Sequence, residues 1–442
     1  MTIKQGRFLT GSTMRHVVVM TMTASVGLTF MFLIDAASLF WVSQMGVEQN
    51  VAALGFAWTI QFFTISAGIG LMIAAVALVS RSIGQGDRAL ARRQATASMV
   101  IAGGVQGVIA LIIWLSRDPI LASAGASGET LQIASRYLAI SLPALPIVAV
   151  GMVGSAVLRA EGDAYRSMMV MIIAGLVAMV LDPLFIFTFG LGVDGAAYVV
   201  VISRLVTAVL SVWFIIRVHD LAAKPAWADI QIIAKPFFLI ATPAILTQLS
   251  TPFGNYIVTI FMSGYGDGAV AGWAVVSRLT VVAFGGVFAL SGAVGGIFGQ
   301  NYGAGKMDRV VSTYRNSLVY CIIYVAAAWL VLFLMRDVIV DVFGLGAQGA
   351  EIVYSFTNLA AGGFAFSGIL FVSNAAFNNL GHPLWSTGFN WARDGILILP
   401  LCWVFGGMLA GPGVVYGQAL AAVIVGSLAA VVAWRFVNEL GK

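Results

Sequence analysis

Long apolar runs broken by short polar stretches dominate the chain. Taking runs of about 20 residues bounded by charge, Gly, Pro or Asn predicts twelve helical spans. They fall at 16–42, 51–79, 94–115, 131–158, 167–189, 196–216, 236–262, 269–298, 316–335, 352–377, 384–404 and 413–434. The expected fold is an all-α integral membrane protein. The longest polar connection, 217–235, lies at the midpoint, which predicts a six-helix lobe over 1–216, an inter-lobe linker over 217–235 and a second six-helix lobe over 236–442.

The pattern repeats on either side of that connection. Ser80 to Ala91 reads SRSIGQGDRALA, and Gly299 to Val310 reads GQNYGAGKMDRV. Ala156 to Ser167 (AVLRAEGDAYRS) likewise faces Ala375 to Ser386 (AAFNNLGHPLWS). Both matches are displaced by 219 residues (80 to 299 and 156 to 375). Six spans per half, each half starting on the same side, imply a parallel repeat about an axis along the membrane normal. Most glycines serve close helix packing, but Gly84, Gly86, Gly303 and Gly305 sit in tight loops where a positive φ is useful. Neither G-Q-G-D nor G-A-G-K has the spacing of a phosphate loop.

Composition agrees with the span count. Of 442 residues 60% are hydrophobic and 9% charged, with a mean hydropathy of +0.98, against about 25% charged in a soluble domain. The net charge of +5 is scattered over short loops, so it signals topology rather than nucleic-acid binding. With both termini inside, 17 of the 23 Lys and Arg fall on the cytoplasmic side and only Arg117, Arg136 and Arg336 on the other. The expectation is a multi-pass, monomeric protein of a prokaryotic inner membrane with both termini cytoplasmic. No cleaved signal peptide is expected before the first span. Cys321 and Cys402 lie in apolar runs without metal-type spacing, so no disulfide framework or metal site is expected. His16, His219 and His382 are expected at helix ends or in loops, solvated rather than ligating.

Three acids fall inside spans: Asp35, Asp182 and Asp394. An acid within a span is costly and usually marks an ion or substrate path. The plainer role for Asp35 is a protonated carboxyl bonded to a neighbouring helix; for Asp182, which precedes Pro183, it is a helix-breaking cap. If Asp35 and Asp182 meet in the N-terminal bundle, like charge and burial prevent both from ionising, and the pair can hold and release a proton. Arg393 and Asp394 are adjacent and project about 100° apart on a helix, so separate partners are expected for each. Arg204 and Arg278 are also within spans and need partners. Gln248, Asn255, Arg278, Asn374, Arg393 and Asp394 form a candidate substrate cavity. A lone Asn in a span more often joins helices than binds a ligand. Phe32, Phe62, Phe63, Phe253, Phe261 and Phe366 are candidates for an adaptable aromatic lining.

One enzyme pattern is present in fragments. Gly264-Tyr265-Gly266-Asp267 matches G-x-G-D and Pro143-Ala144-Leu145 matches P-A-L, as in intramembrane aspartyl proteases. Asp267 falls in a short loop, the two motifs stand in the wrong order, and the twofold repeat has no role in that chemistry, so no enzyme is expected.

Asp35, Ala52 to Gly55 (AALG), the GQGDRALA loop, Leu158 to Asp163 (LRAEGD), Leu181 to Phe187 (LDPLFIF) and Gly299 to Lys306 (GQNYGAGK) together resemble the multidrug and toxic compound extrusion (MATE) transporters, and among them the DinF-like branch. The resemblance implies twelve helices in two lobes and no catalytic residues or bound cofactor. It further implies antiport of organic cations or other amphipathic compounds, driven by H⁺ or Na⁺. Asp35 and Asp182 occupy the positions of the N-lobe polar network of that branch. Ala178 and Val200 stand where the branch usually has polar side chains, and the first span lacks its proline. Fewer oxygen ligands weaken a Na⁺ site more than a proton site, which favours H⁺. A lipid-linked precursor flippase of the same superfamily is the alternative, motivated by Arg204, Arg278 and Arg393. The partners implied are small molecules and membrane lipids.

Overall fold

The computed structural model describes residues 6–440, without the side chains of Asp35, Ala36 and Glu48. Among the described residues there is no strand. The α-helices run in order α1 (Thr13–Ser43), α2 (Glu48–Gly84), α3 (Arg88–Leu115), α4 (Arg117–Ser123), α5 (Gly128–Ser141), α6 (Leu145–Glu161), α7 (Ala164–Pro183) and α8 (Gly192–Phe214). They continue with α9 (Trp227–Ser263), α10 (Asp267–Ala283), α11 (Gly285–Gly303), α12 (Met307–Val342), α13 (Ala347–Asn358), α14 (Phe364–Leu380), α15 (Pro383–Trp391) and α16 (Ile398–Leu440).

Ten helical stretches of the described residues are long and apolar enough to cross a membrane, and α10 with α11, bent by 44°, makes an eleventh. Prolines at the break explain why the fourth span is α5 and α6 joined by a 3-10 turn, since Pro143 and Pro146 withhold backbone donors there. The stretch Pro383–Leu440 is one of those ten, but at 58 residues it holds two helices joined at a kink. Ala410 leaves the helical region (φ 54°, ψ −138°), Pro412 follows, and the chain doubles back so that Phe405 faces Gly413 and Leu401 faces Gly417. A Cβ on Gly413 would stand 1.8 Å from the Phe405 carbonyl, which only glycine avoids. Counting that stretch as two gives the twelve passes expected.

The repeat is visible in the backbone. Gly86 and Gly305, at φ 79° and 69°, turn the two loops that the sequence pairs, and Gly162 and Gly381, at 93° and 104°, turn the second pair. Gly84 and Gly303 instead end α2 and α11 in helical conformation. Asp87 and Asp163 cap α3 and α7 by accepting from the backbone N–H of Leu90 and Arg166.

Two compact units result. One is Val26–Ile245; the other joins Arg7–Ser25 to the chain from Leu246 onward. Both boundaries fall inside long helices, α1 and α9, and not at 217–235. The physical reason is side-chain bonding to the leaders of those helices. In the first unit Arg92 Nε donates to the Ala222 carbonyl at 2.9 Å, and Thr96 both donates to and accepts from Ala223. In the second unit Arg309 Nη2 donates to the Phe8 carbonyl at 2.7 Å and Lys306 Nζ to the Leu9 carbonyl at 2.9 Å.

Candidate functional site

In the first unit the acid of α7 is the central feature. Asp182 is 2% exposed, and its Oδ1 has no hydrogen-bond partner among the described residues. Pro183 ends α7 immediately after it, and the chain passes into a π-helical turn over Leu184–Thr188. Ser38 on α1 lies within hydrogen-bonding reach of the carboxyl. Asp35 lies one turn earlier on α1, and its side chain falls outside the described residues. The neighbourhood one turn before Asp182 is apolar: Ala178 packs in a cluster with Ile34 and Val199, flanked by Phe30, Leu181 and Phe185. Ala178, where the resemblance leads one to expect a polar side chain, is thus packed against hydrocarbon, and Val200 is half-buried on α8.

Arg204 has its explanation in the same unit. Its Nη2 donates to Gln61 Oε1 at 2.8 Å and its Nη1 to the Ser141 carbonyl at 2.7 Å, while Gln61 Nε2 donates to the Ser141 hydroxyl at 3.1 Å. Gln61 is 5% exposed, so α2, α5 and α8 are cross-linked by buried polar groups.

A charged knot closes one end of this unit. His219 is buried, not solvated as its place near a helix end suggested: its Nε2 donates to Asp163 Oδ2 at 2.8 Å, and its Nδ1 stands 3.9 Å from Glu161. Arg88 pairs with Glu161 at 3.2 Å and also bonds the His219 carbonyl. Burial opposes a charge on Asp163, but hydrogen bonds from His219 and from the backbone and guanidinium of Arg166 outweigh it and hold its carboxyl well below the usual carboxylate range.

The second unit carries the other intramembrane acid. Arg393 and Asp394 do not take separate partners; they bond each other side-on, Nε to Oδ1 and Nη2 to Oδ2, both at 2.7 Å. The 100° between neighbouring positions describes where side chains leave an α-helix. Here the stretch Ala392–Leu397 is π-helical, and the long Arg side chain curls back onto its neighbour. Each is 6% exposed, Ser250 Oγ adds a bond to Oδ2 at 3.1 Å, and Gly254 makes room on α9.

The pair borders a cavity of about 150 Å³ within this unit. Of the residues expected to line a substrate cavity, Asn255, Arg393 and Asp394 do so. Gln248 is half-buried and Arg278 exposed, both away from its walls. Asn374 is buried among the polar groups of α14 and α15, where Ser386 Oγ donates to its carbonyl and to Asn378 Oδ1, a helix-joining role. The aromatic lining is Trp273, Phe288, Phe364 and Phe371. The phenylalanines expected there are elsewhere, with Phe62, Phe63 and Phe253 exposed. Composition offered no means of choosing among 28 phenylalanines. Ser38, Gln61, Gly254 and Gln418 also went unnoticed; the one available signal was an isolated polar or small residue on the face of an acid-bearing helix.

Comparison with known proteins bears on both units. The MatE family model matches the chain twice, over residues 23–184 and 243–404. The FAD transporter of Shewanella oneidensis is 25% identical over 388 residues, covering 86% of each chain. The multidrug export protein MepA of Staphylococcus aureus is 24% identical over 372 residues, covering 82% of this chain and 81% of its own. A solved MOP superfamily transporter from Pyrococcus furiosus shares the fold with a TM-score of 0.91 over 99% of both chains, at 22% identity.

Proposed function

The chain belongs to the MatE family of secondary transporters, and from that premise we propose that it exports organic cations or other amphipathic compounds in exchange for inward-moving H⁺, by alternating access. The observation that carries the choice of ion is Asp182, a buried carboxyl with one oxygen unpartnered among the described residues, next to Ser38 and one turn beyond Ala178, which packs on Ile34 and Val199. A bound metal cation wants several oxygen ligands at once. A proton needs one carboxyl that can take it up, and among the described side chains Ser38 is the oxygen bearer set against Asp182.

In the proposed cycle Asp35 takes a proton from the outer side, the loss of buried charge repacks α1, and substrate leaves outward. Deprotonation to the inside resets the transporter, with Asp182 supporting Asp35. The protein sits in the cytoplasmic membrane with both termini inside, as the Lys and Arg distribution argues, and we take it to work as a monomer. Of the three arginines that motivate the flippase alternative, Arg204 is engaged by Gln61 and Ser141 and Arg393 pairs with Asp394, which leaves Arg278, exposed, as its support.

The test is ethidium efflux from proteoliposomes under an imposed pH gradient and, separately, an imposed Na⁺ gradient. The pH gradient is expected to drive transport in the wild type and to fail in Asp35→Asn. Transport driven by Na⁺ alone, or an Asp35→Asn variant working at the wild-type rate, would overturn the reading.

A further inference from the structure

The side-on pairing of Arg393 leaves the other edge of its guanidinium held by a single long bond, from Nη2 to Thr251. Nε and one N–H of Nη2 go to Asp394, and a longer contact of 3.4 Å joins Nη2 to Thr251; Nη1 makes no hydrogen bond among the described residues. That end-on edge is a planar fork of two nitrogens, the geometry that matches a carboxylate or phosphate. Arg393 borders the cavity of about 150 Å³, room for at least one aromatic ring. The walls are rings held against one another: Phe364 stacks on Phe284 at 4.4 Å, Phe288 meets Phe364 edge-on at 5.6 Å, and Phe371 lies 5.7 Å beneath the guanidinium. Trp273 adds a further face, and Gln418 and Ser367 border the cavity with polar side chains that bond to nothing described.

We infer that this cavity is a ligand site of the second unit for an aromatic ring bearing an oxyanion, which docks end-on to Arg393 while its ring lies among Trp273, Phe288, Phe364 and Phe371. Asp394 orients the guanidinium and cancels its net charge, so the ligand is chosen by the direction of the donors and the flat walls, not by a positive field. The inference rests on the export reading and narrows its substrate class: an acid at Asp35 or Asp182 has no means of selecting an anion, whereas this fork does.

The test uses the full chain in detergent and two probes of one skeleton and opposite charge, 2-naphthoate and 2-naphthylmethylammonium, with binding followed by saturation-transfer NMR. Wild type is expected to bind the naphthoate at least about tenfold more tightly than the amine, one charge-assisted bidentate contact's worth. Asp394→Asn, which keeps the fork and removes a nearby like charge, is expected to tighten naphthoate binding. The neutral double variant Arg393→Gln/Asp394→Asn, free of any buried unpaired charge, is expected to lose the preference. Equal affinities in the wild type, preference for the amine, or a naphthoate preference that survives in the double variant would each overturn the inference. Ethidium efflux under a pH gradient is a separate readout: its failure with naphthoate binding intact removes the export reading alone, and the reverse result removes this site alone.

Discussion

Arg393 and Asp394 are sequence neighbours that neutralise each other in a side-on ion pair at 2.7 Å, buried within the second unit on a π-helical turn. Breaking such a pair leaves one charge uncompensated, at a cost of about 3–5 kcal/mol, whereas removing both charges costs little. Arg393→Gln is therefore expected to unfold at a markedly lower temperature than wild type, and Arg393→Gln/Asp394→Asn to recover most of the loss. Thermal unfolding in detergent decides it; equal destabilisation by the single and double variants would mean that the pair is not the source.

Gly254 is what lets Asp394 approach α9. A Cβ there would sit 2.9 Å from Asp394 Cβ, on a side chain already held by three bonds. Gly254→Ala should cost about 1–3 kcal/mol by overpacking. Pairing it with Asp394→Ala, which keeps Cβ, should restore little. An unchanged melting temperature for Gly254→Ala would contradict the close packing.

Asp163 predicts a pH dependence. Its carboxyl is held below the usual range by His219 and Arg166. A depressed pKa contributes stability that is present above the unfolded value of about 3.9 and is lost as pH falls below it towards the native value. Asp163→Asn should melt about 2–4 °C lower than wild type at neutral pH, and the gap should close on acidification below about pH 4. A gap that stays constant across that range would argue against the ion as its cause.

Gln61 offers a test of the buried cross-link. Gln61→Leu removes an acceptor from Arg204 and a donor from Ser141, and leaving such buried groups short costs about 1–3 kcal/mol. The loss should appear in thermal stability of the whole chain, with Gln61→Glu, which keeps the acceptor, less affected. Equal melting of the leucine and glutamate variants would show that the bond to Arg204 is immaterial.

For Asp182 the expected outcome is kinetic. Asp182→Asn keeps the shape of a side chain with one unpartnered oxygen, so it should fold, yet ethidium efflux driven by a pH gradient should fall by about tenfold or more, equivalent to about 1.4 kcal/mol in the rate-limiting step. Wild-type rates in that variant would leave Asp182 with a packing role only.

Much of the fold was legible because lipid imposes a simple rule: a span must satisfy its own backbone and be apolar for about 20 residues. Apolar length therefore located the passes, and paired loops such as Gly86 with Gly305 exposed the repeat. The acids could be picked out for the same reason, as charges in the wrong solvent. Where a break was subtle the prediction was coarser. The π-helical turns after Pro183 and at Ala392 have no composition of their own, and the bend between α10 and α11 carries no proline.

By itself, then, the amino-acid order determined twelve passes, a twofold repeat and which few side chains are too polar for their surroundings. Tertiary structure alone decided what those side chains meet: that Arg393 turns onto Asp394, that Arg204 reaches Gln61 and Ser141, that His219 is buried on Asp163, and that four particular rings face the cavity. The reason is geometry. Membrane crossing depends on the summed hydropathy of a local window, whereas a hydrogen bond depends on distances of a few tenths of an ångström between groups that only the folded chain brings together, whether neighbours such as Arg393 and Asp394 or residues 143 apart such as Gln61 and Arg204.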